Sequence, residues 1–427
     1  MLTTEHPMPR RPVRLPARGK PMQDATSDTP IETILFGAFD RHNFGDLLFP
    51  HVVAAMLPER RLRFAGLLER DLRPFGGHLV EAIAKQAASR DVRPFDIVPV
   101  GGELLTCDAW EAAVMLAPET RVRATIDAQP AWARDPAGWA RANFGLPARA
   151  PYVLSKADFP CARRVLFNAI GGVDLAQRDS RMRADLVSAL HDADDVTVRD
   201  ATTQCLLEAE GIATRRLPDP AVMIAELFGD IVAEHAASEA VSSVRDTCPN
   251  GYLAIQFSAD FGDDRTLDEI ARGLDLAAAS HGLGVVFFRA GIAPWHDTLE
   301  TYDRARKRMR TPSVSLMTSP NVWDICAVIA GSRAYCGSSL HGSIVAAAFS
   351  VPHVNLRHPA RGSTQSKQTA FASTWEDSDW PGEVGVEQIA QGIEKALRID
   401  STRLAFTARR LVAEYRAGFA HVVALTA

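Results

Sequence analysis

The feature that most constrains the fold of this chain is a repeated alternation of short apolar runs, glycine-rich turns and helical patterns. The runs ETILFG, DIVPVGG and RRVLFNAIGG lie in the first half, and YLAIQF, GVVFFRAG and RAYCG lie in the second. Each run is short enough for a buried strand, and the segments between them carry helical periodicity. Such alternation is typical of parallel sheets covered by helices.

A polar, charged stretch divides these units into two blocks. We therefore predict an α/β fold with two Rossmann-like, doubly wound domains that face a cleft. Residues 31–228 form the N-terminal domain, 229–250 a linker or crossing segment, and 251–427 the C-terminal domain with its terminal helices. The basic, proline-rich residues 1–30 lack the apolar core of a signal peptide and are predicted to be a flexible tail.

The composition argues against several classes of protein. The net charge of -5 over 427 residues argues against a general nucleic-acid binder. The 6 cysteines include no C-x-x-C pair, which argues against a zinc ribbon or a disulfide scaffold and fits a reducing cytoplasm. No apolar stretch approaches the ~20 residues that a transmembrane helix needs. Because no cluster of metal ligands is evident, we predict no obligatory metal.

The stretch GSSLHGSIVAAAF, residues 337–349, places a histidine where a strand gives way to a helix. The first turn of a helix has free N–H groups and a partial positive charge, so it can bind an anion. His341 adds a donor that can be charged near neutral pH, and Gly342 lets a ligand approach the backbone closely. An equally good interpretation is that Ser338 or Ser339 simply caps the helix while His341 packs on the next loop.

Other candidates follow strands at the same edge, where ligands bind in doubly wound folds. Arg199 follows the strand VTV and can hold a carboxylate or phosphate through two hydrogen bonds. A salt bridge to Asp200 or to a neighbouring helix would explain it as well. In GAFDRHNFGD, the side chains of His42, Asn43 and Asp46 can face the cleft, and Asp46 is also a candidate N-cap.

The turn Gly101-Gly102 after the strand DIVPV is a weak candidate, because paired glycines mostly form tight turns. The chain contains neither the GxGxxG dinucleotide fingerprint nor a P-loop GK[ST] motif. The glycine-rich turns alone therefore do not indicate a nucleotide site.

Taken in order, five segments resemble the polysaccharide pyruvyl transferase family. They are GAFDRHNFGD, DIVPVGGELL, VTVRDATTQCLLEAEGI, PDPAV and AGSRAYCGSSLHGSIVAAAFSVPHVNL, which span most of residues 33–356. The resemblance implies a glycosyltransferase-B-like fold. It also implies transfer of pyruvate from phosphoenolpyruvate to two hydroxyls of a sugar, as a cyclic ketal, in cell-surface or exopolysaccharide biosynthesis. No cofactor is expected besides phosphoenolpyruvate as the donor substrate.

The family's phosphoenolpyruvate-binding histidine and arginine correspond by motif to His341 and Arg199. Neighbouring residues are expected to contribute to this donor-anion site in the C-terminal domain: Ser338, Ser339, Leu340 and Gly342. Many members of the family carry arginine where this chain has Ser339. Lys367 lies where a further basic residue is expected.

The N-terminal domain is expected to bind the saccharide acceptor through loops 38–46 and 101–110, which contain Asn43, Gly101 and Gly102. Ketal formation needs a general acid and a general base. His341 is a candidate for the acid or for a phosphate ligand, and Asp46 is a candidate for activating the sugar hydroxyl. The acceptor can be lipid-linked. We therefore expect a cytoplasmic protein with scope for peripheral contact at the inner face of the membrane.

Two other functions fit the same frame. A nucleotide-sugar-dependent glycosyltransferase of the glycosyltransferase-B type would use the helix N-terminus to hold a diphosphate. It would also need aromatic or acidic residues that grip the base and ribose, and no clear set is evident. A non-catalytic glycan-binding relative is the second alternative, and the retention of both His341 and Arg199 argues against it.

Overall fold

The structure, a computed structural model, describes residues 31–88, 93–361 and 365–426. The tail predicted over residues 1–30 lies outside the described residues. Within them, each half of the chain contains a mainly parallel sheet covered by helices. The predicted α/β class with two parallel-sheet domains is confirmed.

In the described part of the first half, eight strands form one sheet: β1 (Glu32–Phe36), β2 (Arg61–Gly66), β3 (Arg70–Asp71), β4 (Leu79–Ala82), β5 (Phe95–Pro99), β6 (Ala162–Ile170), β7 (Asp195–Val198) and β8 (Arg215–Arg216). Their order is β3-β4-β2-β1-β5-β6-β7-β8, and only the pair β3 and β4 is antiparallel. The central strand β5 is buried along its whole length, which is typical of a strand covered on both faces.

The helices of this half are α1 (Phe44–Met56), α2 (Ala84–Ala87), α3 (Ala109–Leu116), α4 (Val122–Asp127), α5 (Gln129–Arg134), α6 (Pro136–Phe144), α7 (Ser180–His191) and α8 (Ala201–Ala209). Helices α3 to α6 form a cluster in the crossover from β5 to β6. This cluster opens with a capping box, in which the Asp108 side chain accepts from the Glu111 N–H at 2.8 Å and the Glu111 carboxylate accepts from the Asp108 N–H at 2.9 Å.

In the described part of the second half, six strands form one sheet: β9 (Tyr252–Gln256), β10 (Gly284–Phe288), β11 (Val314–Met317), β12 (Ala334–Gly337), β13 (His353–Leu356) and β14 (Glu383–Val384). This sheet is fully parallel, and its strand order is β11-β10-β9-β12-β13-β14. The helices are α9 (Ile224–His235), α10 (Glu239–Thr247), α11 (Asp264–His281), α12 (Leu299–Arg308), α13 (Val322–Ala330), α14 (Leu340–Ala348), α15 (Lys367–Trp375), α16 (Ile389–Leu397) and α17 (Ser401–Thr426).

The segment 229–250, predicted as a linker or crossing segment, consists of the end of α9 and all of α10. It is packed against the second half, because Asp324 of α13 lies 2.7 Å from the His235 Nδ1 and accepts from the Ser238 hydroxyl at 3.0 Å. The segment is therefore a pair of crossing helices and not a loose tether.

The long helix α17 returns to the first half of the chain, although the sequence placed all of residues 251–427 in the C-terminal domain. The Asn168 amide of β6 donates to the Tyr415 hydroxyl at 3.0 Å, and Arg215 of β8 donates to the Gly418 carbonyl at 3.3 Å. A side chain at Gly418 would collide with Leu217, so glycine permits this close approach. Within the described residues, no helix combines the length and the apolarity that crossing a membrane requires.

The two halves meet through loops that follow β1 and β10. The Phe44 N–H donates to the Ala290 carbonyl at 2.7 Å, and Asn43 forms an antiparallel bridge with Gly291. The Asn43 amide also donates to the Nε2 of His296 at 2.9 Å. Because carboxyl ends of strands from both sheets converge here, this junction is the place where a ligand is expected.

Candidate active site

Two helices of the second half begin at the junction. Ser339 is the N-cap of α14 and accepts from the Gly342 N–H at 3.3 Å. Ser366 is the N-cap of α15 and accepts from the Thr369 N–H at 3.0 Å. The Gln368 side chain donates to the Ser338 carbonyl, which ties the two helix starts together. First-turn N–H groups have no acceptor within their own helix, so two helix N-termini make this region attractive to anions.

His341 belongs to the second half of the chain and is held by contacts from the first half. Its ring lies edge-on to Phe49 of α1, with the ring centroids 5.1 Å apart. A side chain at Gly45 would overlap the imidazole, so the ring rests directly on the α1 backbone. Its Nε2 lies 3.4 Å from the Asp219 carboxylate. The interpretation that Ser339 caps α14 is correct, but His341 packs on α1 and not on the loop after its own helix.

Arg199 follows β7 and is buried at the side of the cavity, where two carboxylates neutralise it. Its Nη1 lies 3.2 Å from Asp219, and its Nη2 lies 2.5 Å from Glu103. Gly171 makes room for this arrangement, because a side chain there would lie 2.7 Å from both the Arg199 guanidinium and the Glu103 carboxylate. A salt bridge to Asp200 was the alternative. Asp200 instead caps α8, where it accepts from the Thr203 N–H at 2.7 Å.

Asp219 links these two residues. It comes from PDPAV, just after β8, and its side chain is fully buried. Burial alone would raise the pKa of Asp219, but His341 and Arg199 hold it below the ordinary value. The Asp219 carboxylate is therefore ionised at neutral pH, and it pairs with the Arg199 guanidinium while facing the His341 imidazole.

Lys367, the first residue of α15, has a different environment. Within residues 31–88, 93–361 and 365–426, no carboxylate pairs with its ammonium group and no hydrogen bond holds it. Burial lowers the pKa of Lys367, and the nearby Glu103 opposes this effect. The side chain lines both cavities of the junction, so its amino group can contact a ligand in either one.

The position of α15 depends on a second buried pair. At its C-terminal end, Glu376 lies 2.9 Å from the Nε2 of His353 in β13. Burial alone lowers the pKa of His353, but the Glu376 carboxylate raises it above the ordinary value. The charged pair therefore joins the far end of α15 to the second sheet.

We expect this pair to make folding stability depend on pH. Since the folded-state pKa of His353 is raised, its contribution is fully present below the ordinary histidine value of about 6.5 and is lost as the pH rises through the folded value. Chemical denaturation at about pH 6 and about pH 9 measures the difference in the free energy of unfolding. This difference should be about 1.4 kcal/mol for each unit by which folding raises the pKa of His353. The Glu376→Gln variant should show a shallower decline. The same slope in both proteins would contradict the assignment.

Asp46 was a candidate N-cap, and this prediction is wrong. Helix α1 begins at Phe44, so Asn43 occupies the N-cap position and Asp46 lies in the first turn. The Asn43 side chain accepts no hydrogen bond from the first turn of the helix, and its amide N–H donates to His296. The Asp46 carboxylate lines the cavity and lies 3.7 Å from the guanidinium of Arg41.

Arg41 belongs to a buried cluster that the sequence patterns did not reveal. It donates to the Tyr152 hydroxyl at 2.6 Å, and this hydroxyl donates to Asp40 at 3.1 Å. Asp40 also accepts from the Leu67 N–H at 2.6 Å, and burial raises its pKa. Tyr152 lies 111 residues from Arg41, so no local pattern could have joined them.

Three predicted glycines do not line either cavity. Gly101 and Gly102 have φ values of 58° and 80°, in the left-handed region that favours glycine. A side chain at Gly101 would also lie 2.7 Å from Phe49. At Gly342, a side chain would overlap the Tyr335 hydroxyl, so packing requires glycine at this position.

The remaining predicted residues lie around two adjoining cavities. The first, of about 300 Å³, lies between the halves and is lined by Asp46, Arg199, Leu340 and His341. The second, of about 260 Å³, lies against the second sheet and is lined by Ser338. Four residues line both cavities: Asn43, His296, Ser339 and Lys367.

His296, another residue that the sequence patterns did not single out, stands between the cavities. Burial lowers its pKa to about 4, so the ring is neutral at neutral pH. Because Asn43 donates to its Nε2, the Nδ1 carries the hydrogen and donates to the Pro294 carbonyl at 3.1 Å. Both ring nitrogens are thus used by the protein, and the residue joins the halves. Its position after β10 was its only signal in the sequence.

This geometry places the S-L-H-G helix start, the V-R-D strand end and the P-D-P turn around one charged cavity. Residues 168–359 match the polysaccharide pyruvyl transferase family. This match confirms the resemblance for three of the five segments, whereas GAFDRHNFGD and DIVPVGGELL lie outside it. The polysaccharide pyruvyl transferase match includes Arg199, Asp219, His296 and His341, whereas Lys367 and the loops before residue 168 lie outside it.

Solved structures of similar fold are nucleotide-sugar enzymes of low sequence identity. The UDP-GlcNAc 2-epimerase of Methanocaldococcus jannaschii, in complex with UDP-GlcNAc and UDP, is 12% identical with a TM-score of 0.51, and the match covers 89% of this chain and 98% of the epimerase. A putative UDP-N-acetylglucosamine 2-epimerase of Listeria monocytogenes is 11% identical with a TM-score of 0.51, with 92% and 98% covered. No curated protein matches the sequence significantly. At this identity the likeness shows the fold alone, and it confirms the glycosyltransferase-B-like architecture expected of a polysaccharide pyruvyl transferase.

Proposed function

We propose that this chain is a ketal pyruvyl transferase that moves pyruvate from phosphoenolpyruvate to two hydroxyls of a saccharide. The observation that carries the proposal is the position of Lys367, which lines both cavities. Among the described residues, no carboxylate forms an ion pair with it, although those of Glu103 and Asp46 lie near enough to act on its charge. Phosphoenolpyruvate bears a phosphate and a carboxylate, and a site for it needs positive charge that the protein has not already compensated.

The donor would lie between the starts of α14 and α15. The N–H groups of both first turns and the Lys367 ammonium group would bind its phosphate or carboxylate. His341 would add a further contact from the wall of the same cavity. Arg199 has a different part, because Asp219 and Glu103 already neutralise it. We propose that it positions these carboxylates and contributes only part of its charge to the donor.

The reaction requires one proton at the donor and the removal of two hydroxyl protons from the acceptor. Protonation of the methylene carbon gives a methyl group and an oxocarbenium-like centre at the neighbouring carbon. One sugar hydroxyl adds to this carbon and loses its proton. The bond to the phosphate oxygen breaks, inorganic phosphate leaves, and the second hydroxyl adds and loses its proton to close the ketal. One proton is thus consumed and two are released, with the second taken up by buffer or phosphate.

The residues at the cavity suit these proton transfers. His341 is the proposed acid or phosphate ligand, and Asp46 is the proposed base for a sugar hydroxyl. The proposed reaction uses no metal and no cofactor besides the donor. We also propose that it takes place in the cytoplasm, at the inner face of the membrane when the acceptor is lipid-linked.

Lys367→Met is the sharpest test of donor binding, because it removes the charge and keeps most of the apolar stem. Wild-type protein should be stabilised by phosphoenolpyruvate in a thermal-shift titration, by about 2.7 kcal/mol when the donor is present at 100 times its dissociation constant. The variant should lose this response and about 100- to 1,000-fold in kcat, as expected when a preorganised electrostatic contact is removed. Its melting temperature without ligand should stay close to that of the wild type.

Lys307→Met is the matched control, because Lys307 is exposed on α12 and pairs with Asp303 at 2.6 Å. It should keep the full response to phosphoenolpyruvate. Stabilisation of the wild type by a uridine or guanosine diphosphate sugar, with no response to phosphoenolpyruvate, would overturn the proposal in favour of a glycosyltransferase. A lack of response to both donors would favour a glycan-binding protein. Mass spectrometry of glycans from cells with and without the protein should then find the pyruvyl ketal only when the protein is present.

A further inference from the structure

A tryptophan stands exposed at the mouth of the first cavity. Trp295 lies in the loop after β10, lines that cavity and exposes 46% of its surface. Large aromatic rings gain much from burial, and one that stays exposed beside a polar cavity is available for contact with a ligand. The donor does not need such a ring, because phosphoenolpyruvate is small and doubly anionic. Trp295 is therefore unexplained by the donor site.

The backbone of Trp295 is strained. Its φ of 67° lies in the left-handed region, which residues with a side chain rarely adopt. Strain of this kind persists where the surrounding structure enforces it, and it is concentrated at functional sites. Here the loop is enforced at its end by Asp297, which accepts from the Ala290 N–H at 2.6 Å and from the Gln256 amide at 2.9 Å. These hydrogen bonds hold the end of the loop that carries the indole.

A second tryptophan supports the ring from the other half of the chain. Trp110 of α3 lies edge-on to Trp295, with ring centroids 5.3 Å apart and planes 61° apart. Trp110 is itself fixed, because its indole N–H donates to the Thr125 carbonyl at 3.0 Å. The helix cluster α3 to α6 therefore braces the exposed ring across the junction.

Charged groups flank this ring within the same cavity. Glu111 and Arg178 both line it and pair with each other at 2.8 Å. Glu103 lines the cavity as well, and its carboxylate stays about one quarter exposed. An apolar ring surrounded by hydrogen-bonding groups matches the chemistry of a pyranose, which presents C–H groups on one face and hydroxyls around its edge.

We infer that Trp295 is the stacking platform for a pyranose ring of the saccharide acceptor, and that Glu111 and Arg178 bind hydroxyls of the same sugar. This inference rests on the proposed function, since it identifies where that reaction would receive its acceptor. Trp295 is a binding and specificity residue and takes no part in the proton transfers. It lies in the cavity that also contains Asp46, so a sugar stacked on it would bring hydroxyls near the proposed base.

Two substitutions of Trp295 separate binding from folding. Trp295→Phe keeps an aromatic ring, whereas Trp295→Gly removes the ring and relieves the strain, because glycine adopts a φ of 67° readily. We expect Trp295→Gly to melt at or above the wild-type temperature and to retain its full response to phosphoenolpyruvate. Phe406→Ala is the control, because Phe406 is also exposed, by 62%, and lies on the distant helix α17.

The measurement is a thermal-shift titration with lactose, N-acetyllactosamine, mannobiose and di-N-acetylchitobiose, each with and without phosphoenolpyruvate. At least one sugar should stabilise the wild type and the Phe406→Ala variant. Its apparent affinity should fall about tenfold or more in Trp295→Gly and much less in Trp295→Phe. Equal sugar responses in all four proteins, or no response of the wild type to any of these sugars, would overturn the inference. A wild type that responds to sugar but not to phosphoenolpyruvate would instead refute the proposed donor.

Discussion

Asp219→Ala is expected to destabilise the fold by about 3–5 kcal/mol, because it leaves a buried guanidinium with half of its counter-charge. Arg199 is 1% exposed and has only Glu103 as its other carboxylate partner among the described residues, so the cation cannot recover its lost solvation. The variant also removes the carboxylate that faces His341 at 3.4 Å. Urea denaturation at neutral pH measures the loss directly.

Lowering the pH tests the interaction of Asp219 with Arg199 and His341 independently. Since the folded-state pKa of Asp219 is lowered, its contribution is present above the ordinary value and is lost as the pH falls through the folded value. The Asp219→Ala variant should therefore lose less stability than the wild type when the pH is taken below about 4. Asp303→Ala, which removes a surface partner of Arg306 and Lys307, should cost less than about 1 kcal/mol. A cost that small for Asp219→Ala would show that Arg199 is not held by this carboxylate.

Gly45→Ala is expected to abolish activity through a single added methyl group. In most exposed helix positions alanine is better than glycine by about 1 kcal/mol, but here the methyl group would overlap the His341 imidazole. The ring must then move or α1 must shift, with a cost of about 1–3 kcal/mol for overpacking. A displacement of about 1 Å at a reacting group can cost about 100-fold in rate.

Gly229→Ala is the matched control, because a side chain at this glycine of α9 would meet nothing within 4 Å. It should leave the stability and the response to phosphoenolpyruvate unchanged or slightly improved. The rate of phosphate release in the presence of an accepted sugar, together with the melting temperature, compares the two variants. If Gly45→Ala kept wild-type activity, His341 would have no fixed role in the reaction.

The sequence predicted those secondary-structure elements that are determined by neighbouring residues. Apolar runs that end in Gly37, Gly171 or Gly337 are strands because four or five buried residues with a turn signal permit little else. The prediction of Asp46 as the N-cap of α1 was wrong, because the helix begins at Phe44 and Asp46 lies in its first turn. The chain just before this helix is held from the other half by the Asn43–Gly291 bridge and the contact of Asn43 with His296, which no local pattern indicates.

The charged cavity was predictable only in part. His341 and Arg199 were predicted from motifs at a helix start and a strand end, whereas Lys367 was expected only from the family resemblance. Their partners were not, because Asp219 and Glu103 are separated from Arg199 by 20 and 96 residues. Sequence alone likewise cannot show which sheet an apolar helix face will cover, so the return of α17 to the first half required the structure.

That return has a consequence for how the chain is made. Leu411, Tyr415, Phe419 and Val422 belong to the same buried cluster as Leu166 of β6. On the ribosome, domains generally fold as they emerge, with the N-terminal one first. Here the first sheet stays open on this side until about 260 further residues have been synthesised, as Leu166 and the end of α17 at Thr426 are that far apart. The N-terminal half of this protein therefore cannot complete its packing until α17, the last helix of the chain, has been synthesised.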